Sequence, residues 1–141
     1  SYSVTGVQTC ALPICEAVGA MACRDGETVR VLAWHFDPRR AEFAHVLDTP
    51  AAAGERQIDL HLTGLGRERW RYTQYLIDRE HSNAYTDYVR RGGDTRDGAY
   101  NLESGSLACP DQRTLETANG SLELAVTLRN LAVTLLEFTP E

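Results

Sequence analysis

The sequence predicts an antiparallel β-sandwich with one short helical insertion, and three observations lead there. Segments with a two-residue apolar period dominate the chain, QIDLHLTGL and SLELAVTL being the cleanest. A tight turn signal, Arg24-Asp25-Gly26-Glu27, separates two further extended segments as in a hairpin. Helical spacing occurs in a single stretch, HSNAYTDYVRRGG. Strand follows strand without regular alternation with helices, which favours two packed antiparallel layers over a parallel sheet.

Taken in order, AVGAMAC and TVRVLAWHF form the hairpin. Asp-Gly suits its turn because both central positions call for positive φ, which Gly accepts freely and Asp tolerates. In the second strand Val29, Val31, Ala33 and His35 share one face, and Arg30, Leu32, Trp34 and Phe36 the other. Apolar bulk on both faces predicts a central strand. Residues 37–56, with Pro38, Pro50 and an Ala-Ala-Ala-Gly run, read as an irregular connection holding a helical turn around Ala41 to Leu47. In QIDLHLTGL, Ile58, Leu60 and Leu62 point inward while Asp59, His61 and Thr63 point outward. Gly64 and Gly66 bracket a turn, after which RWRYTQYLID has strand composition through Trp70, Tyr72, Thr73, Tyr75 and Ile77.

In the helical segment Ser82 or Asn83 is placed as the cap, Tyr85, Tyr88 and Val89 form an apolar stripe, and Gly92 is the stop. Gly92 to Cys109 reads as an excursion from the sheet. Leu122, Leu124, Val126 and Leu128 line one face of SLELAVTL, and Arg129-Asn130 begins the turn into AVTLLEFT. The expectation is about six strands, fewer than a complete sandwich usually has.

The net charge of −6 and the dispersed arginines speak against nucleic-acid binding, which needs a clustered basic face. All 14 basic residues are Arg, as GC-rich coding would produce without any binding role. No apolar run is long enough to span a bilayer. Setting aside Cys10, the remaining cysteines are Cys15, Cys23 and Cys109, an odd number without metal-ligand spacing. Cys23 ends an apolar stretch and reads as a small buried hydrophobe.

His35, His45, His61 and His81 show no metal-binding spacing, and neither a nucleophile elbow nor a phosphate-cradling loop is present. The densest polar cluster is Asp78-Arg79-Glu80-His81-Ser82-Asn83, leaving a strand and entering the helix. His81 could move a proton with Asp78 or Glu80 orienting it. The reading favoured on the chemistry is plainer: Asp78, Ser82 and Asn83 satisfy backbone donors at a strand-to-helix corner. Trp34, Trp70, Tyr72 and Tyr75 could stack on sugars, but at strand spacing core packing is the favoured role.

The stretch YLIDREHSNAYTDY, Tyr75 to Tyr88, resembles the "hYRID-x-x-HSNAY-x-x-W" segment of glycoside hydrolase family 39, the β-xylosidase family that includes α-L-iduronidases. VRVLAWHF, IDLHLTGL and SLELAVTLRNLAVTLLEFTP are similar to further strands of that family, in the same order. The helix ends on Tyr88 where the family has Trp, and Gly92-Gly93-Asp94 only loosely echoes its next motif, so the sugar stays open.

The resemblance implies the C-terminal accessory β-sandwich that follows a (β/α)8 catalytic barrel. Asp78, His81, Ser82, Asn83 and Tyr85 are then the structural family motif, with no catalytic, substrate-binding or metal-binding residue in this chain. Family members hydrolyse O-glycosyl bonds with retention, using two glutamates on the barrel and neither metal nor organic cofactor. The acid/base glutamate follows an asparagine there, and this sequence has no Asn-Glu pair, so neither glutamate carries over. The partner implied is the barrel of the same chain, through which alone carbohydrate would be met; nucleic acid and membrane are not expected partners.

The leading stretch VTGVQTCALPI, Val4 to Ile14, resembles a translated sequencing adapter. Residues 1–14 are accordingly expected to be adapter-derived and disordered. Residues 15–141 are expected to be the sandwich, truncated upstream, inactive alone and prone to self-association through a face that the barrel would cover. The compartment is left open, with the cytoplasm as default. Two alternatives stand beside this reading: a free-standing carbohydrate- or protein-binding sandwich, and an iduronidase-like member of the same family.

Overall fold

The computed structural model describes residues 2–5, 18–37, 54–90, 92 and 106–141. The expected irregular connection and its helical turn at 41–47 lie mostly or wholly outside these, as does most of the expected excursion after Gly92. The described strands are β1 (Tyr2–Thr5), β2 (Val18–Asp25), β3 (Thr28–His35), β4 (Arg56–Thr63), β5 (Arg69–Ile77), β6 (Ala108–Glu116), β7 (Ser121–Leu128) and β8 (Ala132–Pro140). Among the described residues one helix, α1 (Ala84–Arg90), interrupts them.

The strands form two sheets, a three-stranded one in the order β1-β4-β7 and a five-stranded one in the order β2-β3-β8-β5-β6. All pairings are antiparallel except that of β1 with β4. The expected β-sandwich is therefore the observed fold.

Alternation dictates which face each strand buries. On the small sheet Ile58, Leu60 and Leu62 register against Val126, Leu124 and Leu122, and all six are buried. On the large sheet Val29 registers against Phe138, which in turn registers against Tyr72, and Val31 against Leu136; these are buried too. One hydrophobic cluster contains residues of both sheets, so the inner faces share a single core. Each such large apolar side chain contributes about 1.5–3 kcal/mol of transfer free energy. The polar group of Thr134, fully buried among them, is satisfied: its hydroxyl donates to the Tyr75 carbonyl at 2.8 Å.

Polar ties join the two sheets at one end of the core. His35, on β3, is buried and its Nδ1–H donates to the Leu128 carbonyl on β7 at 3.2 Å. Beside it Asn130 takes the Asp37 N–H on Oδ1 at 2.7 Å and returns an Nδ2–H to the Asp37 carbonyl at 3.3 Å. Desolvation holds the His35 imidazole below its ordinary value, favouring the neutral ring.

β3 is central, between β2 and β8, as its two apolar faces required. Three expectations are corrected. Cys23 is exposed, because the register Ala22↔Val31 turns Ala20 and Ala22 inward and Cys23 outward. The hairpin turn sits one residue later than expected: Asp25 pairs with Thr28, and only Gly26 has positive φ. The strand count rises to eight among the described residues, partly because β6 carries no apolar alternation.

β6 is an edge strand, and Cys109 and Pro110 together oppose Tyr75, a bulge that accommodates the proline where no ladder bond is needed. Within the expected leader, Tyr2–Thr5 pairs with the small sheet as a parallel strand in the register Tyr2↔Ile58 to Thr5↔His61. The rest of the leader lies outside the described residues.

Candidate functional site

The corner between β5 and α1 brings together Asp78, His81, Ser82 and Asn83 of the motif, while Tyr85 lies outside it on α1. Asp78 is buried and its N–H donates to the His81 carbonyl at 3.0 Å, closing a tight turn. Its Oδ1 accepts from the Glu80 and His81 N–H groups, both at 2.7 Å, and lies 2.9 Å from His81 Nδ1. That oxygen therefore holds the turn together through two backbone N–H groups and the His81 ring.

Ser82 has a left-handed backbone, with φ of 55°, at the point where the chain reverses. Its hydroxyl donates to the Leu76 carbonyl at 2.7 Å and accepts the Ala108 N–H at 2.8 Å, stitching the ends of β5 and β6 together. Asn83 is the helix cap: Oδ1 accepts the Thr86 N–H at 3.3 Å, while Nδ2 donates to the Asp78 carbonyl at 3.2 Å. Glu80 is held by the Arg90 guanidinium, with contacts at 2.7 and 2.9 Å, so the first and last parts of the insertion clasp each other.

The chemistry open to this arrangement is limited. His81 and Asp78 make a hydrogen-bonded pair, but the neighbouring hydroxyl, Ser82 Oγ, is engaged with the backbone on the far side of the turn. Tyr85 is 67% exposed, with its ring centroid 6.3 Å from that of Tyr88; the expected apolar stripe does not carry Tyr85 into the core. Among the described residues no cluster of three or more His, Cys, Asp or Glu side chains could hold a metal ion.

The four aromatics weighed as a sugar platform separate into two pairs. Trp70 and Tyr72 point inward and are buried, with Trp70 Nε1–H donating to the Arg67 carbonyl at 3.1 Å. Burial also pushes the Tyr72 phenol well up from its ordinary value. Trp34 and Tyr75 lie on the outer face of the large sheet. The Trp34 indole lies over Gly19, so close that a Cβ there would sit 2.3 Å from its Cζ2. Elsewhere, an open groove of about 420 Å³ runs between the β4–β5 and β6–β7 turns, lined chiefly by Arg67, Glu68, Arg69, Glu116 and Asn119 and by no aromatic residue.

No family model matches the sequence. No curated protein matches it either. Its fold does match solved structures. A glycoside hydrolase family 39 enzyme from Xanthomonas axonopodis pv. citri superposes with a TM-score of 0.68 at 17% identity, covering 86% of this chain and 26% of that one. A monomeric β-xylosidase from Caulobacter crescentus CB15 gives 0.68 at 19% identity with the same coverage. The bacterial orthologue of human α-L-iduronidase gives 0.63 at 14% identity, covering 88% of this chain and 22% of that one. This sandwich thus shares its fold with glycoside hydrolases while spanning about a quarter of their length.

Proposed function

We propose that the chain is the accessory β-sandwich of a retaining glycoside hydrolase of β-xylosidase type, inert by itself and dependent on a catalytic barrel elsewhere in its parent protein. The observation that carries this is the fold likeness: most of this chain, but a quarter of its neighbours, is matched. The motif at the β5–α1 corner supports it, because Asp78, Ser82 and Asn83 act there on the backbone. Retaining hydrolysis needs two carboxyl groups about 5 Å apart, one poised as acid and one as nucleophile. Asp78 and Glu80, the carboxylates of the corner, are already committed to backbone donors and to Arg90 respectively.

Two measurements test the reading. The source DNA upstream of Cys15 should encode a barrel with an Asn-Glu acid/base motif; a stop codon or an unrelated domain there defeats the proposal. Purified 15–141 should turn over a nitrophenyl β-xyloside at background rate only, and genuine turnover would overturn the claim of inertness. The iduronidase-like neighbour keeps a uronic-acid substrate as the alternative for the parent, which its barrel loops would decide. A free-standing sugar-binding module is favoured by one feature, the indole of Trp34 over Gly19 on the outer face of the sheet; saturable binding of xylo-oligosaccharides by titration calorimetry would speak for it.

A further inference from the structure

The outer face of the five-stranded sheet is divided into two chemically different halves. One cross-strand row reads Met21↔Leu32↔Leu135↔Tyr75, and the next reads Gly19↔Trp34↔Val133↔Ile77. Both rows are apolar across four strands, and Gly19 is roofed by the Trp34 ring. The following row, Cys23↔Arg30↔Glu137↔Thr73, is polar, with Arg30 Nε bonded to Glu137 at 2.7 Å. Met21 and Val133 are each 39% exposed and Ile77 48%, so water meets large apolar side chains in the first half alone. A solvated outer face would be polar throughout, as the outer positions Glu123, Ala125 and Thr127 of β7 nearly are.

From this division we infer that the apolar half-face, centred on Trp34, Val133 and Leu135, seats a neighbouring domain of the same polypeptide. The inference rests on the accessory-module reading and adds to it the surface that is covered. The patch amounts to a few hundred Å², about the largest that monomers expose. Two free molecules need roughly 800 Å² each for a standard stable interface, more than this half-face offers. A tethered domain needs less, because the link supplies an effective concentration in the millimolar range. The structural neighbours devote about three-quarters of their length to chain outside the match, which is ample for such a partner. A Trp in register with Val133 and next to the Met21↔Leu32↔Leu135 row also fits a protein surface better than a sugar, which needs hydrogen-bonding groups beside the stacking ring.

The test is thiol protection. With the four native cysteines changed to serine, Val133→Cys and Ala125→Cys (the latter on the opposite outer face) are compared for maleimide labelling. Circular dichroism checks that each variant keeps the native fold. In the 141-residue chain at low concentration the two should label at similar rates. In the parent protein Val133→Cys should label about ten-fold or more slowly than Ala125→Cys. Equal rates in a parent that does contain a barrel overturn the docking surface while leaving the accessory-module reading intact. A source gene that encodes no second domain overturns both. Protection of Val133→Cys that grows with concentration in the 141-residue chain overturns the inference in favour of a second copy, and protection by xylo-oligosaccharide overturns it in favour of a sugar.

Discussion

Removing the Asp78 carboxylate should unfold the β5–α1 corner more than any other single change to its side chains. Asp78→Ala takes away one oxygen that serves the Glu80 N–H, the His81 N–H and the His81 ring. Two backbone donors then lose their acceptor in a partly buried turn, each costing roughly 1–2 kcal/mol, for a total of about 2–4 kcal/mol. For a chain of this size that lowers the melting temperature by about 10 °C. Asp78→Asn keeps an acceptor oxygen and forfeits only the charge-assisted part of the bonds, about 1 kcal/mol. Urea unfolding followed by Trp fluorescence would give both values. An Asp78→Ala variant within about 0.5 kcal/mol of the parent sequence, or an Asn variant as damaging as Ala, would refute the account of the corner as a carboxylate-centred turn.

The remaining predictions concern the sheets. His35 is held below its ordinary value of 6.5, so the unfolded chain binds its proton first; stability present above pH 6.5 should decline as pH falls below it. The urea midpoint should therefore drop on going from pH 7.5 to 5.5, and a His35→Asn variant should lose that part of the slope. Gly19→Ala places a methyl within the Trp34 ring and should cost about 1–3 kcal/mol or lift the indole off the sheet. Lifting would show as red-shifted emission and easier acrylamide quenching, since Trp70 is buried; unchanged quenching together with unchanged stability would contradict the packing. Leu136→Ala, fully buried on the strand central to the large sheet, should cost about 2–5 kcal/mol by calorimetry.

The strands that could be read from sequence are those where burial on one side imposes alternation. β4 and β7 show it directly: Ile58, Leu60 and Leu62 face Leu122, Leu124 and Val126, with polar residues between. Parity separated Trp34 from Val29 and Val31, but the core role favoured for all four aromatics holds only for Trp70 and Tyr72, since Trp34 and Tyr75 lie on the outer face. β2 resisted this treatment. Ala20, Met21, Ala22 and Cys23 are all apolar, so which of them face the core is decided by the register with β3, a non-local fact. β6 was invisible because an edge strand with a bulge needs neither apolar alternation nor an unbroken ladder.

At the corner the identity of the cap and the existence of the turn were legible in Ser82-Asn83. The division of labour was not, since it depends on Ala108 arriving from a segment 26 residues away.

The pairing of Tyr2–Thr5 along β4 has a practical side. Main-chain groups recognise an extended partner with little regard for its side chains, so the rim of the small sheet is a berth that many sequences can fill. Whatever peptide is fused ahead of this module, be it an affinity handle, a linker or a cloning remnant, competes for that berth. Yield and clumping on expression should then vary with the leader chosen. A leader rich in proline, unable to zip onto the rim, would leave it open to strands from other molecules.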